Sequence, residues 1–283
     1  MVARLQVAGL SDPGRMRSLN QDRYYFRFVQ SSDEHAIGLF IVADGLGGYL
    51  AGEVASHWAV ETVEREMAPI FKSSAPGDTR QVRPQELWTP SDSDSQTASV
   101  RVLNAETFRL ISYAIRKANE VLLGYAQQKP DEAGGMGSTI VTLVIQDELA
   151  TVGSLGDSRA YLWRLGQLHQ ITTDHTLPGE LVARGQLEPD KLPSHPQRHI
   201  LQRCLGRHVL IEPDIFRPVQ LQSGDRLLLC SDGLWNMVTP EQRISEFVEQ
   251  EADPNRLVQE LVRASNEAGG EDNITAIAIN IEE

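Results

Sequence analysis

The feature that most constrains this chain is a short apolar run ending in an acid and glycines: Leu39-Phe40-Ile41-Val42-Ala43-Asp44-Gly45-Leu46-Gly47-Gly48. Five mostly apolar residues are too few for a core helix and read as a buried strand. The glycines let backbone come close to a ligand and take up conformations that other residues avoid. An acid at a strand end with bare backbone beside it is a good place to hold a cation. The theme returns at Leu227-Leu228-Leu229-Cys230-Ser231-Asp232-Gly233, again an apolar strand followed by Asp-Gly.

The polarity of the strands extends the argument. Arg23-Tyr24-Tyr25-Phe26-Arg27-Phe28-Val29 is aromatic and β-prone, and it precedes a strand over 36–43. A hairpin brings the start of the first strand beside the end of the second. Asp22 and Asp44 should therefore meet on one edge of an antiparallel sheet. Asp232 ends a strand, and Asp272 begins one at Ile274-Thr275-Ala276-Ile277-Ala278-Ile279. Asp157 sits in a Gly156-Asp157-Ser158 turn that can face the same edge. Five crowded carboxylates cannot all stay ionised without compensation. Hard divalent cations such as Mg²⁺ or Mn²⁺ supply it, and oxygen ligands suit them. The plainer alternative is five unrelated surface turns, since Asp-Gly is common in turns.

Bulk properties narrow the class. Of 283 residues, 41% are hydrophobic and 23% charged, ordinary for a soluble globular protein. A formal net charge of −13 disfavours nucleic acid or an anionic membrane as the main partner. An anionic substrate remains open, because bound divalent ions reverse the field locally. No apolar run approaches the roughly 20 residues of a membrane span. Residues 1–10 lack a signal-peptide core. Two cysteines, Cys204 and Cys230, make a disulfide framework an unsuitable reading. The expectation is a soluble, cytoplasmic protein.

The remaining elements follow in order. A first strand is predicted over 4–10 and a helix over 51–70. Residues 72–100 turn to Ser, Pro, Asp, Thr and Gln and read as a flexible surface insertion, not a linker. Asp92-Ser93-Asp94-Ser95 within it is taken as a solvated acidic run. A second long helix is predicted over 103–128, then strands over 138–146, 149–155 and 159–163, and a short one reaching Ile171. Residues 172–208 hold four prolines and four histidines and read as a flap over a site, with helical pieces at 179–184 and 198–205. Thr239-Pro240-Glu241-Gln242 has N-cap, N1-proline and capping-box features, and Asp253-Pro254 starts the last helix similarly.

Taken together, these residues resemble a known family. Arg17-x-x-Asn20-Gln21-Asp22, Val42-Ala43-Asp44-Gly45-x-Gly47-Gly48, Gly137-Ser138-Thr139, Gly156-Asp157-Ser158-Arg159-Ala160-Tyr161, Thr173-Asp174-His175, Ser231-Asp232-Gly233-Leu234 and Asp272-Asn273-Ile274-Thr275 occur in the order seen in PPM/PP2C metal-dependent Ser/Thr protein phosphatases. The compact bacterial members are the most similar. The resemblance spans nearly the whole chain except 72–100 and implies one domain over 1–283. It implies an α+β fold, an αββα sandwich of two antiparallel sheets flanked by helices. Asp44 would bridge two metals, with the Gly45 carbonyl on one of them and Asp232 and Asp272 holding the other. Asp157 and Asp232 would form a weaker third site. Arg17 would grip the substrate phosphate, and Asp22 would orient metal-bound water.

The implied reaction is direct hydrolysis of phosphoserine or phosphothreonine by a water that bridges two metals. Phosphorylated proteins are the implied partners, with the enzyme a monomer. A Cys-x5-Arg nucleophile loop is excluded, because positions 210 and 236 are Leu210 and Asn236. Two departures stand out. Relatives often carry a histidine shortly after the Asp-Gly, where this chain has Leu46, Tyr49 and Leu50. His175, His195 and His199 lie elsewhere and are each expected to be exposed or structural. Gln21 stands where some relatives have Glu. A pseudophosphatase, or a phosphoesterase acting on small esters, remains open at this level.

Overall fold

The computed structural model describes residues 4–30, 36–47, 51–71, 94–188, 191–192 and 195–282, and side chains over these ranges except 94–104. Two antiparallel sheets are present. The first runs β1 (Arg4–Asp12), β12 (Ile274–Glu282), β11 (Arg226–Cys230), β7 (Arg159–Arg164), β8 (Gln167–Gln170). The second runs β10 (Val219–Gln220), β6 (Leu149–Leu155), β5 (Ile140–Gln146), β3 (Ala36–Leu46), β2 (Asp22–Gln30). Two short strands attach to it, β4 (Gly137–Ser138) on β3 and β9 (Asp214–Ile215) on β6.

The central strands are apolar on both faces because both faces are covered. In β3, Phe40 and Val42 face the other sheet, while Leu39, Ile41 and Ala43 face helices α1 (Ala51–Met67) and α2 (Asp94–Gln128). In β12, Ile277, Ile279 and Ile281 point between the sheets. Ile274, Ala276 and Ala278 point the other way, against α6 (Gln242–Gln250) and α7 (Pro254–Glu267). This period-2 partition yields three apolar layers between four layers of backbone, the predicted αββα order.

Several local expectations need correction. Helix α2 starts at Asp94, so residues 94–100 are helical and not part of an irregular insertion. Residues 72–93 lie outside the described residues. After the single turn α3 (Pro130–Ala133), the first helix within 172–208 is α4 (Leu177–Ala183), whose N-cap Thr176 accepts the Gly179 N–H at 3.3 Å. The predicted helix over 198–205 is absent. Those residues spend their backbone on other segments: Gln202 N donates to His175 O at 2.8 Å, and Leu205 N to Ser138 O at 2.8 Å. The segment's opening is core, not flap, with Thr172, Asp174, His175 and Thr176 all buried. Helix α6 begins with Glu241 at the N-cap position and without a side-chain cap bond. The Glu241 carboxylate faces Arg159 instead, at 3.4 Å. The α7 start is as read, with the Asp253 side chain accepting from Asn255 N and Pro254 at N1.

Candidate metal centre

Both sheets deliver acids to one edge. The β2–β3 register places Asp22 directly opposite Asp44. Asp232 follows β11 and opens the single turn α5 (Asp232–Trp235), and Asp272 stands two residues before β12. Asp157 occupies the turn between β6 and β7. The sheets are stitched together at this edge. Ser231, after β11, donates its hydroxyl to Asp22 Oδ2 at 2.6 Å, and Thr275 N donates to Ser231 Oγ at 3.0 Å. Asn273 accepts the Gln21 N–H at 2.8 Å and donates to the Pro13 and Leu19 carbonyls, each at 2.9 Å.

The two Asp-Gly pairs share a steric reason. A Cβ on Gly45 would stand 2.0 Å from the Gly52 carbonyl oxygen of α1. A Cβ on Gly233 would stand 2.0 Å from the Asn273 carbonyl oxygen. In both cases the backbone after the acid is pressed onto a neighbouring segment, so only glycine fits.

The Asp44 backbone is pinned. Its N–H donates to Thr139 Oγ1 at 2.9 Å, and its carbonyl accepts from Thr139 N at 2.9 Å and Ser138 Oγ at 3.0 Å. Thr139 Oγ1 also lies 2.7 Å from Ser158 Oγ, which ties the Asp44 strand to the Asp157 turn. From below, Trp235 Nε1 donates to the Asp157 carbonyl at 3.0 Å. The Trp235 ring lies 3.6 Å from the Arg159 guanidinium carbon. Arg159 in turn grips buried Asp174 with Nη2–Oδ2 at 2.6 Å and Nε–Oδ1 at 3.0 Å.

The electrostatics are those of acids held too close. Burial pushes Asp22 up from an ordinary 3.8 to about 6, helped by the Asp272 charge and opposed by the Ser231 and Thr275 hydrogen bonds. Burial, then Asp272 and Asp22, push Asp232 up to about 7. Asp44 is driven well above the usual carboxylate range by burial and then by Asp22, Asp232, Asp157 and Asp272. Asp157 rises likewise, by burial and by Asp232 and Asp174.

The donor set fits hard divalent cations. Every side chain on the rim that was read as a ligand is a carboxylate, and the backbone carbonyl of Gly45 is an oxygen too. Asp22 Oδ1 and Asp232 Oδ1 are buried without a hydrogen-bond partner. Among the described residues, no three acidic, histidine or cysteine side chains are already closed around one point. The carboxylates line a rim whose mutual repulsion a cation would relieve.

Arg17 stands at the exposed end of this rim and pairs with Asp272 at 2.9 Å. His175 is structural: it is buried, and its Nδ1 accepts the Gly156 N–H at 3.0 Å. That bond fixes the proton on Nε2, which faces Asp214 Oδ2 at 3.0 Å. Asp214 also receives Arg203 at 2.9 Å, and the two partners, His175 first, hold its carboxyl well below the usual range. His195 is spent on a local turn, with its Nδ1 3.2 Å from Gln197 N. His199 is exposed and lies 3.5 Å from the Asn236 amide, which also donates to Asp232 Oδ2 at 3.2 Å. Sequence reasoning gave no role to Ser231 or Trp235. Their only signal was position, directly beside Asp232 and three residues after it.

Fold and site together define a class: a four-layer sandwich whose chemistry-bearing edge is a rim of hard oxygen donors. The chain belongs to the protein phosphatase 2C family, whose profile matches residues 15–265. It is 34% identical to the protein phosphatase PhpP of Streptococcus pneumoniae over 280 residues, covering 99% of this chain and 98% of that one. Its fold is similar to that of the serine/threonine phosphatase PstP/Ppp of Mycobacterium tuberculosis, with a TM-score of 0.75, 31% identity and 99% of each chain covered. It is also similar to a PstP catalytic domain solved with two manganese ions, with a TM-score of 0.74, 27% identity and full coverage of both chains (100% each).

Proposed function

We propose that this chain is a metal-dependent protein phosphatase that hydrolyses phosphoserine and phosphothreonine in phosphorylated proteins. The observation that carries the reading is the convergence of Asp22, Asp44, Asp157, Asp232 and Asp272 from both sheets on one edge, with four of the five pushed above the ordinary carboxylate range. Asp44, the Gly45 carbonyl, Asp232 and Asp272 would hold two Mg²⁺ or Mn²⁺ ions, and Asp157 with Asp232 a weaker third. Bound there, such ions supply Lewis acidity that lowers the pKa of water and offsets phosphate charge.

The chain's own residues do the rest. Arg17 carries a planar fork of donors, one now on Asp272, that matches two phosphate oxygens. Asp22 is fixed at Oδ2 by Ser231, while Oδ1 is buried and open to accept a proton from the attacking water. The reading takes the described residues as one domain, acting as a monomer in the cytoplasm. None of the helices among the described residues is long and apolar enough to cross a membrane. The test is hydrolysis of a phosphothreonine peptide by the wild type and by Asp44→Ala, with Mn²⁺ and after chelation. Turnover only in the metal-supplied wild type is expected. Full turnover after exhaustive chelation would reject the reading.

A further inference from the structure

Helix α2 turns Ile111, Ile115, Ala118 and Leu122 to the sheet. Its outer side forms the wall of an open groove of about 410 Å³ against strand β9. Phe108, Ser112 and Ile215 line it together with the exposed Arg109, Tyr113 and Arg116. Among the described residues no acidic side chain lines it, although the chain's formal net charge is −13. Among the described residues Arg109 and Arg116 form no ion pair. The nearby Glu120 is taken by Lys117 at 2.8 Å, and Asp214, next to Ile215, by Arg203 and His175. Two arginines about two turns apart on one helical face, with an exposed tyrosine between them, are left for an anionic, partly apolar occupant.

We propose that this groove docks an extended acidic segment of the phosphoprotein substrate, an inference that rests on the phosphatase reading above. The geometry sets the spacing. Arg116 follows Arg109 by seven helical positions, about 10 Å along the axis. An extended peptide advances about 3.3 Å per residue, so two carboxylates about three residues apart meet the two guanidinium groups. Ile215 pairs with Gly153 of β6, the strand that leads into the Asp157 turn, so the groove and the rim share one sheet.

The experiment compares phosphothreonine peptides carrying two glutamates at that spacing with matched peptides carrying glutamines, at low and high salt, for the Mn²⁺-loaded wild type and Arg109→Glu/Arg116→Glu. For the acidic peptide the variant's KM should rise about 10-fold and lose its salt sensitivity, while kcat holds. The glutamine peptide and p-nitrophenyl phosphate should be turned over as by wild type. Equal losses for both peptides, or no loss for either, would overturn the proposal. So would a wild-type dimer in sedimentation that the variant dissolves, since the groove would then seat a second copy. Failure of the underlying reading looks different: wild type would turn over no phosphopeptide, and anisotropy of the labelled acidic peptide would still measure the groove directly.

Discussion

Asp22→Asn should make the metal-free protein more stable at pH 7.5 and leave it nearly unchanged at pH 4. Asp22 is 4% exposed, and its carboxyl is raised from 3.8 to about 6, with burial the largest cause. Between those values the folded state binds more protons than the unfolded one, so stability falls as pH rises through this window and levels off above it. The rise corresponds to about 3 kcal/mol at pH 7.5, shared with the other acids of the rim. Asparagine cannot ionise, yet its carbonyl oxygen still accepts the Ser231 hydroxyl that now sits 2.6 Å from Oδ2. The gain should therefore approach about 3 kcal/mol at pH 7.5 and vanish near pH 4. Urea denaturation of the chelated proteins at both pH values measures it. Adding Mn²⁺ should shrink the gain, because bound cations already relieve the repulsion that the mutation removes. Activity should fall in the same variant, since Oδ1 no longer accepts a proton. A variant that is equally destabilised at pH 4 and pH 7.5 would refute the reasoning and make Asp22 a plain hydrogen-bonding residue.

Gly45→Ala should cost several kcal/mol, on the scale of about 1–3 for overpacking or more, because all three nearest atoms facing the new Cβ are backbone, from Gly52 and Gln21. Thermal melting and soluble yield report it. Arg159→Ala should destabilise by about 3–5 kcal/mol, since it strands Asp174 at 4% side-chain exposure and removes the packing under Trp235. A melting shift below that of a surface substitution would count against the buried-pair argument. Arg17→Ala should leave the melting temperature unchanged, because its pair with Asp272 is exposed and worth at most about 1 kcal/mol. Its KM for phosphopeptide should rise more than its kcat falls, and steady-state kinetics distinguishes this from a role confined to the transition state.

Much of the rim was legible because strand polarity is local information. An apolar run followed by Asp-Gly states where a strand stops, and antiparallel pairing then places stops beside starts. Asp22 opposite Asp44 follows from the hairpin between them with nothing further. The layering was legible for a related reason. Strands such as β3 and β12, apolar on both faces through their central positions, must be covered on both sides, and long helices are available to do it. The errors fell where short-range rules meet a stronger distant partner. Thr239-Pro240-Glu241-Gln242 carries the signs of a helix cap, but Glu241 is turned toward Arg159, 82 positions earlier. Residues 198–205 have helical character on paper, yet their amides serve His175 and Ser138.

The hardest part to read was what holds the acids in place. Asp22 is held by Ser231 across 209 positions, and Gln21 by Asn273 across 252. No periodicity links residues that far apart, and serine or asparagine at a strand end has many local uses. These bonds exist because the two sheets must meet at an edge that is both buried and charged. Buried acceptors left unpaired are costly, so each carboxylate oxygen not aimed at a cation needs a donor, which comes from the opposite sheet at Asp22 and from the end of α5 at Asp232. Asp22 shows the division within one side chain: Oδ2 is bonded to Ser231, while Oδ1 has no partner. The same division appears at Asp232, whose Oδ2 takes the Asn236 amide while Oδ1 is left unpaired. Two acids from different sheets thus each turn a bonded oxygen to the scaffold and keep an unbonded one. The repeated pattern argues that the unpaired oxygens are a property of the site and not a local packing fault.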